Sequence, residues 1–476
     1  MSFPVKSVSP EVTLEEAEVI LNRYNINALP VLAADKLLGL ISRQTVEKGI
    51  FHGLKGHQVV DYMNSEVATV DPEASIAEIR DRLVINKQRV LPVVEDGKVI
   101  GLISRTDLLH LLISENDEAQ WSQPLRTKNI VSLMRERLPK DILEILAQVG
   151  LVAAELKFSA YVVGGFVRDL LLKHENLDID IVIEGDAIDF ARRFAARFGA
   201  RSREFQKFKT AVIIFPDGFK IDVATARTEY YEAPGALPIV EYSSIKMDLY
   251  RRDFTINTLA VCLNPDKFGL LVDFFSAQRD IKEKTIRVLH SLSFVEDPTR
   301  IFRAVRFEQR FGFTIGKMTE GLIKNAVKMD FFRRLSGHRV FGELCQILEE
   351  DDPVPALLRL AEFDLLVSLH PALKIDKKTA DALHSVREVV SWYDLLFVDT
   401  PYTKWMVYLL VLMRGMDPET TTDVCNRLEL APRHREMADS GRRDAENFLH
   451  WIQRSPAMKN SELYRRLSGF KIEQAL

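Results

Sequence analysis

Residues 161–186 read YVVGGFVRDLLLKHENLDIDIVIEGD, and the rest of the chain is best understood outward from this stretch. Tyr161-Val162-Val163 has the aromatic and β-branched character of a short strand, and Gly164-Gly165 end it where an apolar helical pattern begins. Glycines at a strand-to-helix turn let backbone approach phosphate groups. The unpaired N–H groups and dipole of the helix start favour anions there. Asp178 and Asp180 follow, two apart in a strand-like run of Ile and Val. Alternation along a strand puts both carboxylates on one face, a geometry suited to holding Mg²⁺ against a nucleoside triphosphate. A glycine loop and then paired acids, in that order, predict nucleotidyl transfer.

Apolar residues flank Asp178 and Asp180 on both sides. Burying like charges is costly unless something cationic lies between them, and a pair of metal ions supplies that cation. Asp222, in the run Phe219-Lys220-Ile221-Asp222-Val223, is the candidate third carboxylate from a neighbouring strand; a satisfied strand-end aspartate is the competing reading. Arg251-Arg252-Asp253 precedes FTINTLAV and reads as a helix start. Guanidinium there can donate to phosphate while carboxylate accepts from ribose hydroxyls; a surface ion pair is the alternative. Glu296-Asp297-Pro298-Thr299-Arg300 opens another helix, on which Asp297 and Arg300 share a face. An acceptor beside a donor can read the edge of a base, whereas the plainer reading is an N-terminal capping pair.

At 476 residues the chain is too long for one core, and 28% charged with 47% hydrophobic residues is an ordinary globular balance. The net charge of −4 gives no global attraction to nucleic acid, so any RNA surface must be local. Arg433-His434-Arg435, Arg442-Arg443 and Arg465-Arg466 are the candidate basic clusters. Cys262, Cys345 and Cys425 are far apart and lack CxxC spacing, which speaks against a disulfide framework or a zinc knuckle. No apolar run reaches membrane-span length and no signal-peptide pattern opens the chain, so a soluble cytoplasmic protein with no membrane partner is expected.

The first 114 residues contain a gapless duplication offset by 62: Leu29-Pro30-Val31 matches Leu91-Pro92-Val93, and Gly39-Leu40-Ile41-Ser42-Arg43 matches Gly101-Leu102-Ile103-Ser104-Arg105. Each copy reads as strand, helix, two strands around a turn, and helix. This resembles a tandem pair of CBS domains. The resemblance implies an adenosine site in which Ser104 and Asp107 hold the ribose, and a homodimer through the pair. In the first copy Thr45 replaces the acid. An adenine-nucleotide sensor and a plain dimerisation or spacer module both remain open.

Taken in order, GGxVRD, DxD, RRDFTIN and EDPTRIFRAVRF resemble the class II tRNA nucleotidyltransferase and bacterial poly(A) polymerase family over roughly Leu138 to the C-terminus. The implied fold is multi-domain: an α/β CBS pair, an α+β β-polymerase-like head, then an all-α neck, body and tail. The expected division is 1–114 CBS pair, 115–129 linker, 130–279 head, 280–376 neck and body, and 377–476 tail. Carried over, Gly164, Gly165, Arg168 and Asp169 form the triphosphate loop and its support, and Asp178 and Asp180 hold two Mg²⁺ ions. Arg251, Arg252 and Asp253 select ribose; Asp297 and Arg300, with Glu296 beside them, read the incoming base. Arg227 and Glu229 open the flexible loop associated with adding A.

A CBS pair ahead of this core is similar to the A-adding tRNA nucleotidyltransferases. The resemblance therefore implies ATP as substrate and the 3′ end and acceptor stem of a tRNA ending in CC as partner. A full CCA-adding enzyme, a poly(A) polymerase, and a CBS-based adenylate-binding regulator with a vestigial head are the alternatives. Two departures bear on these. Asp273-Phe274-Phe275-Ser276-Ala277-Gln278 lacks the family's hinge glycines, and residues 204–214 lack the basic stretch of the poly(A) polymerase branch. The family also often carries a further N-terminal domain and a longer helical tail, so the chain is expected to be a piece of a longer protein.

Overall fold

Both copies of the repeat fold into the same hairpin. The computed structural model describes residues 5–24, 26–85, 88, 90–104, 128–230, 239–329, 332, 335–398, 400–454 and 459–476. In it β1 (Ala28–Ala33) pairs antiparallel with β2 (Lys36–Ser42), and β3 (Val90–Glu95) with β4 (Lys98–Ser104). A register shift falls between Val31 and Leu32 in one copy and between Val93 and Val94 in the other. Val8 bridges Val31 just as Val70 bridges Val93, so the sequence repeat holds down to a single bulge. The two-residue turns Ala34-Asp35 and Asp96-Gly97 have positive φ throughout, the hairpin geometry whose twist matches the flanking strands. Together the four strands form one sheet in the order β1-β2-β4-β3.

The contacts divide the molecule into two units. One holds the described residues up to Glu296 with Thr314–Leu322; the other holds Asp297–Phe313 and the described residues from Ile323 on. The first contains, besides the repeat pair, an eight-stranded sheet ordered β5-β14-β13-β6-β7-β10-β9-β8. Its strands are Lys128–Asn129, Leu270–Asp273, Leu259–Cys262, Ser159–Val163, Ile179–Glu184, Lys220–Thr225, Thr210–Ile214 and Arg201–Phe205, in that order. Only β7 and β10 are parallel neighbours. The linker expected at 115–129 needs correction at its end, its earlier part lying outside the described residues. Lys128-Asn129 pair with the sheet edge, and the Asn129 amide is spent on Phe268 O and Val131 N. Two polar residues that gain their structure from a distant strand look like linker in sequence.

Helices Lys140–Glu155 and Ala187–Phe198 cover one face of this sheet, where Leu146, Val149, Phe190 and Phe194 meet Ile179, Ile181, Ile183, Ile221 and Val223 in one core. Each fully buried Leu or Phe there stabilises the fold by about 1.5–3 kcal/mol. Because strand residues alternate, the partners Asp180 and Asp222 are left on the opposite face. That face carries only a small apolar cluster around Val163, Val182 and Leu249, and it is where polar chemistry can sit.

In the second unit the long elements are all helices: Arg300–Phe311, Gly337–Leu348, Val354–Glu362, Lys377–Asp394, Lys404–Leu412 and Arg442–Arg454 among them. Phe302, Val305, Leu344, Ile347, Leu357 and Leu409 are buried within it. Asp376 and Asp417 cap helix starts by accepting from Thr379 N and Thr420 N. Of the basic clusters, Arg442 is structural. It is 3% exposed and donates to Ala438 O, Met416 O and Glu446. Among the described residues no helix is long and apolar enough to cross a membrane.

Candidate active site

The chain between β6 and the helix Gly165–Leu172 turns at Gly164, whose φ of 74° favours glycine. Space demands glycine as well. A Cβ there would lie 2.5 Å from an Arg252 guanidinium nitrogen and 3.8 Å from Asp180 Oδ2. The glycine loop, Arg252 and one acid of the pair therefore converge on one point. Behind them runs a chain of buried polar groups. Arg168 donates twice to Asp169 at 2.8 Å and also to Asn257 Oδ1. Asn257 in turn donates to Asp253 at 2.9 Å. Arg168, Asp169, Asn257 and Asp253 are all buried, so they brace the loop from inside. Asn176 closes the network, donating to Asp169 and accepting from Asp178 N.

Asp178 sits exposed one residue before β7, and Asp180 is half-buried within it. Asp222 lies opposite Asp180 across the parallel pair. Burial pushes the Asp180 carboxyl up to about 6; Arg252 opposes this, while Asp178, Asp222 and Asp248 add to it. Asp222 reaches solvent, yet desolvation by its surroundings, and then Asp178, raise it too. A carboxylate cluster short of positive charge fits a divalent cation. Among the described residues no three acidic, imidazole or thiol side chains converge into a complete metal site, so Asp178 and Asp180 would supply two ligands and a bound substrate the remainder.

Arg251-Arg252-Asp253 needs correction in its setting. It follows the end of the helix Ile245–Tyr250 instead of opening one, and a single 3₁₀ turn, Thr255–Asn257, comes next. Asp248, which the sequence reading passed over, is fully buried and accepts from Arg251 at 2.8 and 3.1 Å and from Arg252 at 3.4 Å. An acid three and four residues before two arginines, at helical spacing, was the available signal. Arg252 Nε is buried with no hydrogen-bond partner among the described residues, a donor left over. Asn176 and Asn257 were also missed, since neither stands out locally.

The remaining candidates are placed as follows. Arg227 and Glu229 belong to β11 (Arg227–Tyr230), which pairs with β12 (Ile239–Tyr242), and Arg227 donates to Phe208 O at 2.6 Å. Asp297 accepts from Thr299 N, Thr299 Oγ1 and Arg339 at 2.7–3.1 Å, a local turn just ahead of the helix that begins at Arg300. Arg300, the first residue of its helix, is buried. Glu296 points elsewhere. Its carboxylate meets Lys48 Nζ at 2.6 Å and His290 Nε2 at 3.2 Å. Burial alone would raise this group, but His290 and Lys48 outweigh it and hold it well below the usual carboxylate range. That consumes both oxygens, so Glu296 is corrected from base contact to ion-pair anchor. Ser104 ends β4, and Asp107 lies outside the described residues.

Comparison with known proteins gives the family. The Poly A polymerase head domain matches residues 160–287, the CBS domain 1–51 and 59–114, and the probable RNA and SrmB-binding site of polymerase A 312–377. The A-adding tRNA nucleotidyltransferase of Geobacter sulfurreducens is 46% identical across all of this chain and 56% of its own length. That of Aquifex aeolicus is 35% identical over 88% of this chain and 50% of its own. The chain thus spans about half the length of these curated relatives. Among solved structures, the Thermotoga maritima CCA-adding enzyme complexed with tRNA aligns at a TM-score of 0.63 and 38% identity, over 73% of this chain and 80% of that one. The chain belongs to the class II tRNA nucleotidyltransferase and poly(A) polymerase family, with a CBS domain pair preceding its nucleotidyltransferase head.

Proposed function

We propose that the chain adds the terminal A to a tRNA ending in CC, using ATP and releasing pyrophosphate. The convergence of Gly164, Arg252 and Asp180 on one point carries the reading. Backbone at Gly164-Gly165 receives the triphosphate, braced by Arg168 and Asp169. Arg251, Arg252 and Asp253 form the ribose-facing corner, with Arg252 Nε free to donate to the nucleotide. Asp178 and Asp180, with Asp222 beside them, hold two Mg²⁺ ions, which when bound polarise the attacking 3′-hydroxyl and offset charge on the phosphates. Most of the acceleration then comes from holding the hydroxyl in line with the α-phosphate. Asp297 and Arg300 read the base, and Arg227 and Glu229 open the flexible loop. We keep 1–114, 130–279, 280–376 and 377–476 as CBS pair, head, neck with body, and tail. Lys128-Asn129 add a short edge strand ahead of that head, and the helical parts grip the acceptor stem. An adenine nucleotide at Ser104 and Asp107, CBS-mediated dimerisation and a cytoplasmic location complete the proposal.

Single-nucleotide extension tests it, using transcripts ending in CC or lacking CCA, with ATP, CTP or both, beside Asp178→Ala. One A added to the CC transcript alone, lost in the variant, is the expected result. Completion of the shorter transcript would make this a full CCA enzyme, the activity in the name of the Thermotoga maritima structure it resembles. Long A tracts on other RNAs would mark a poly(A) polymerase. No extension, with adenylate still bound, would return a CBS regulator.

A further inference from the structure

The helix Arg43–Phe51 of the first CBS copy is where that copy departs from its family, with Thr45 at the acid's position. Thr45, Lys48 and His52 share one side of it. That side faces the head. A cavity of about 280 Å³ is lined by Ser42, Thr45 and Lys48 from the CBS copy, by Tyr250 from the head and by His290 just beyond it. At its wall Lys48 Nζ reaches Glu296, a carboxylate 5% exposed, and the charges of Glu296, Lys48 and His290 all act on the buried His52. Tyr250, whose ring lies tilted 5.4 Å from that of His290, immediately precedes Arg251 and Arg252. A second ion pair, Arg287 to Glu66 at 3.3 Å, ties the CBS pair independently to the stretch that leads into His290 and Glu296.

We propose that Lys48 is a positioning residue for nucleotide selection: from the CBS pair it holds Glu296, and so fixes the start of the segment that continues into Asp297 and Arg300. The inference rests on the base-reading role proposed above for those two residues. A carboxylate buried at the head of a recognition segment is costly unless both oxygens are bound, and His290 reaches only one. Lys48 supplies the other bond. It also explains Thr45, since an acid one turn away would compete with Glu296 for the ammonium.

The test measures KM and kcat for ATP, and the ratio of ATP to CTP incorporation, on a CC-ending tRNA. Lys48→Met should raise KM for ATP or lower the ratio about two- to thirtyfold, the range over which residues outside a site modulate it, with kcat largely kept. Lys48→Arg should restore both, and Thr45→Asp should move them in the direction of Lys48→Met. Lys55→Met, on an exposed pair with Glu15, is the control expected to change nothing. Unchanged KM and ratio in Lys48→Met, or a lower melting midpoint as its sole effect, would overturn the inference while leaving the activity standing. A wild-type chain that extends neither tRNA would instead sink the proposed function, and this inference with it.

Discussion

Asp180 is held at about 6 against an ordinary 3.8, so its proton is bound more tightly in the folded chain than in the unfolded one. Its contribution to stability is therefore fully present below 3.8 and is lost as pH rises through 6. Asp180→Asn should stabilise the metal-free protein at neutral pH by about 1–3 kcal/mol, while cutting extension at least about a hundredfold. Melting curves across pH check this: a stability gap that failed to narrow on acidification would contradict the burial argument. For the same reason the Mg²⁺ needed for half-maximal activity should rise as pH falls below 6. Gly164→Ala would put a methyl group against Arg252 in left-handed backbone, costing about 1–2 kcal/mol and displacing a guanidinium that has a spare donor. The DxD pair and the glycines were legible because their chemistry is local. Asp248, Asn176 and Asn257 were not, because their roles exist only once β7, β13 and the preceding helix are assembled.

At the scale of elements, alternation and repetition read well. Both CBS hairpins and the strand before Gly164 lie where periodicity placed them. Segments whose structure comes from capping or distant pairing read poorly, as with Lys128-Asn129 and the helix end before Arg251. The turn from β14 into the helix Ala277–Lys282 is instructive. The sequence drew attention to Ala277, which is buried in the core, yet the unusual backbone is at Ser276, with φ of 58°. Asp273 clamps this turn by accepting from Phe275 N, Ala277 N and Gln278 N. Ser276→Val should destabilise by about 1–2 kcal/mol, whereas Ser276→Gly should hold or raise the melting midpoint. A valine variant melting with wild type would show that the clamp does not fix this geometry.

Across the whole molecule, a net charge of −4 leaves RNA binding to local patches. The basic clusters are not equivalent: Arg433 and Arg465 are exposed, while Arg442 is buried in its own helical contacts. Replacing Arg433 and Arg465 together with Ala should weaken tRNA binding at low salt and make the log–log salt slope less negative by about one per lost phosphate contact. Arg442→Ala should lower the melting midpoint instead; binding titrations at several salt concentrations separate the two. The order of the central sheet carries one more consequence. β6 lies between β7 and the late strand β13, and Gly164 N donates to Leu259 O. A ribosome releases β6 and the acids before it releases Arg252 and β13. The nascent chain therefore carries its glycines and acids for an interval without the arginine beside them, and the proposed nucleotide corner is completed only once β13 has emerged.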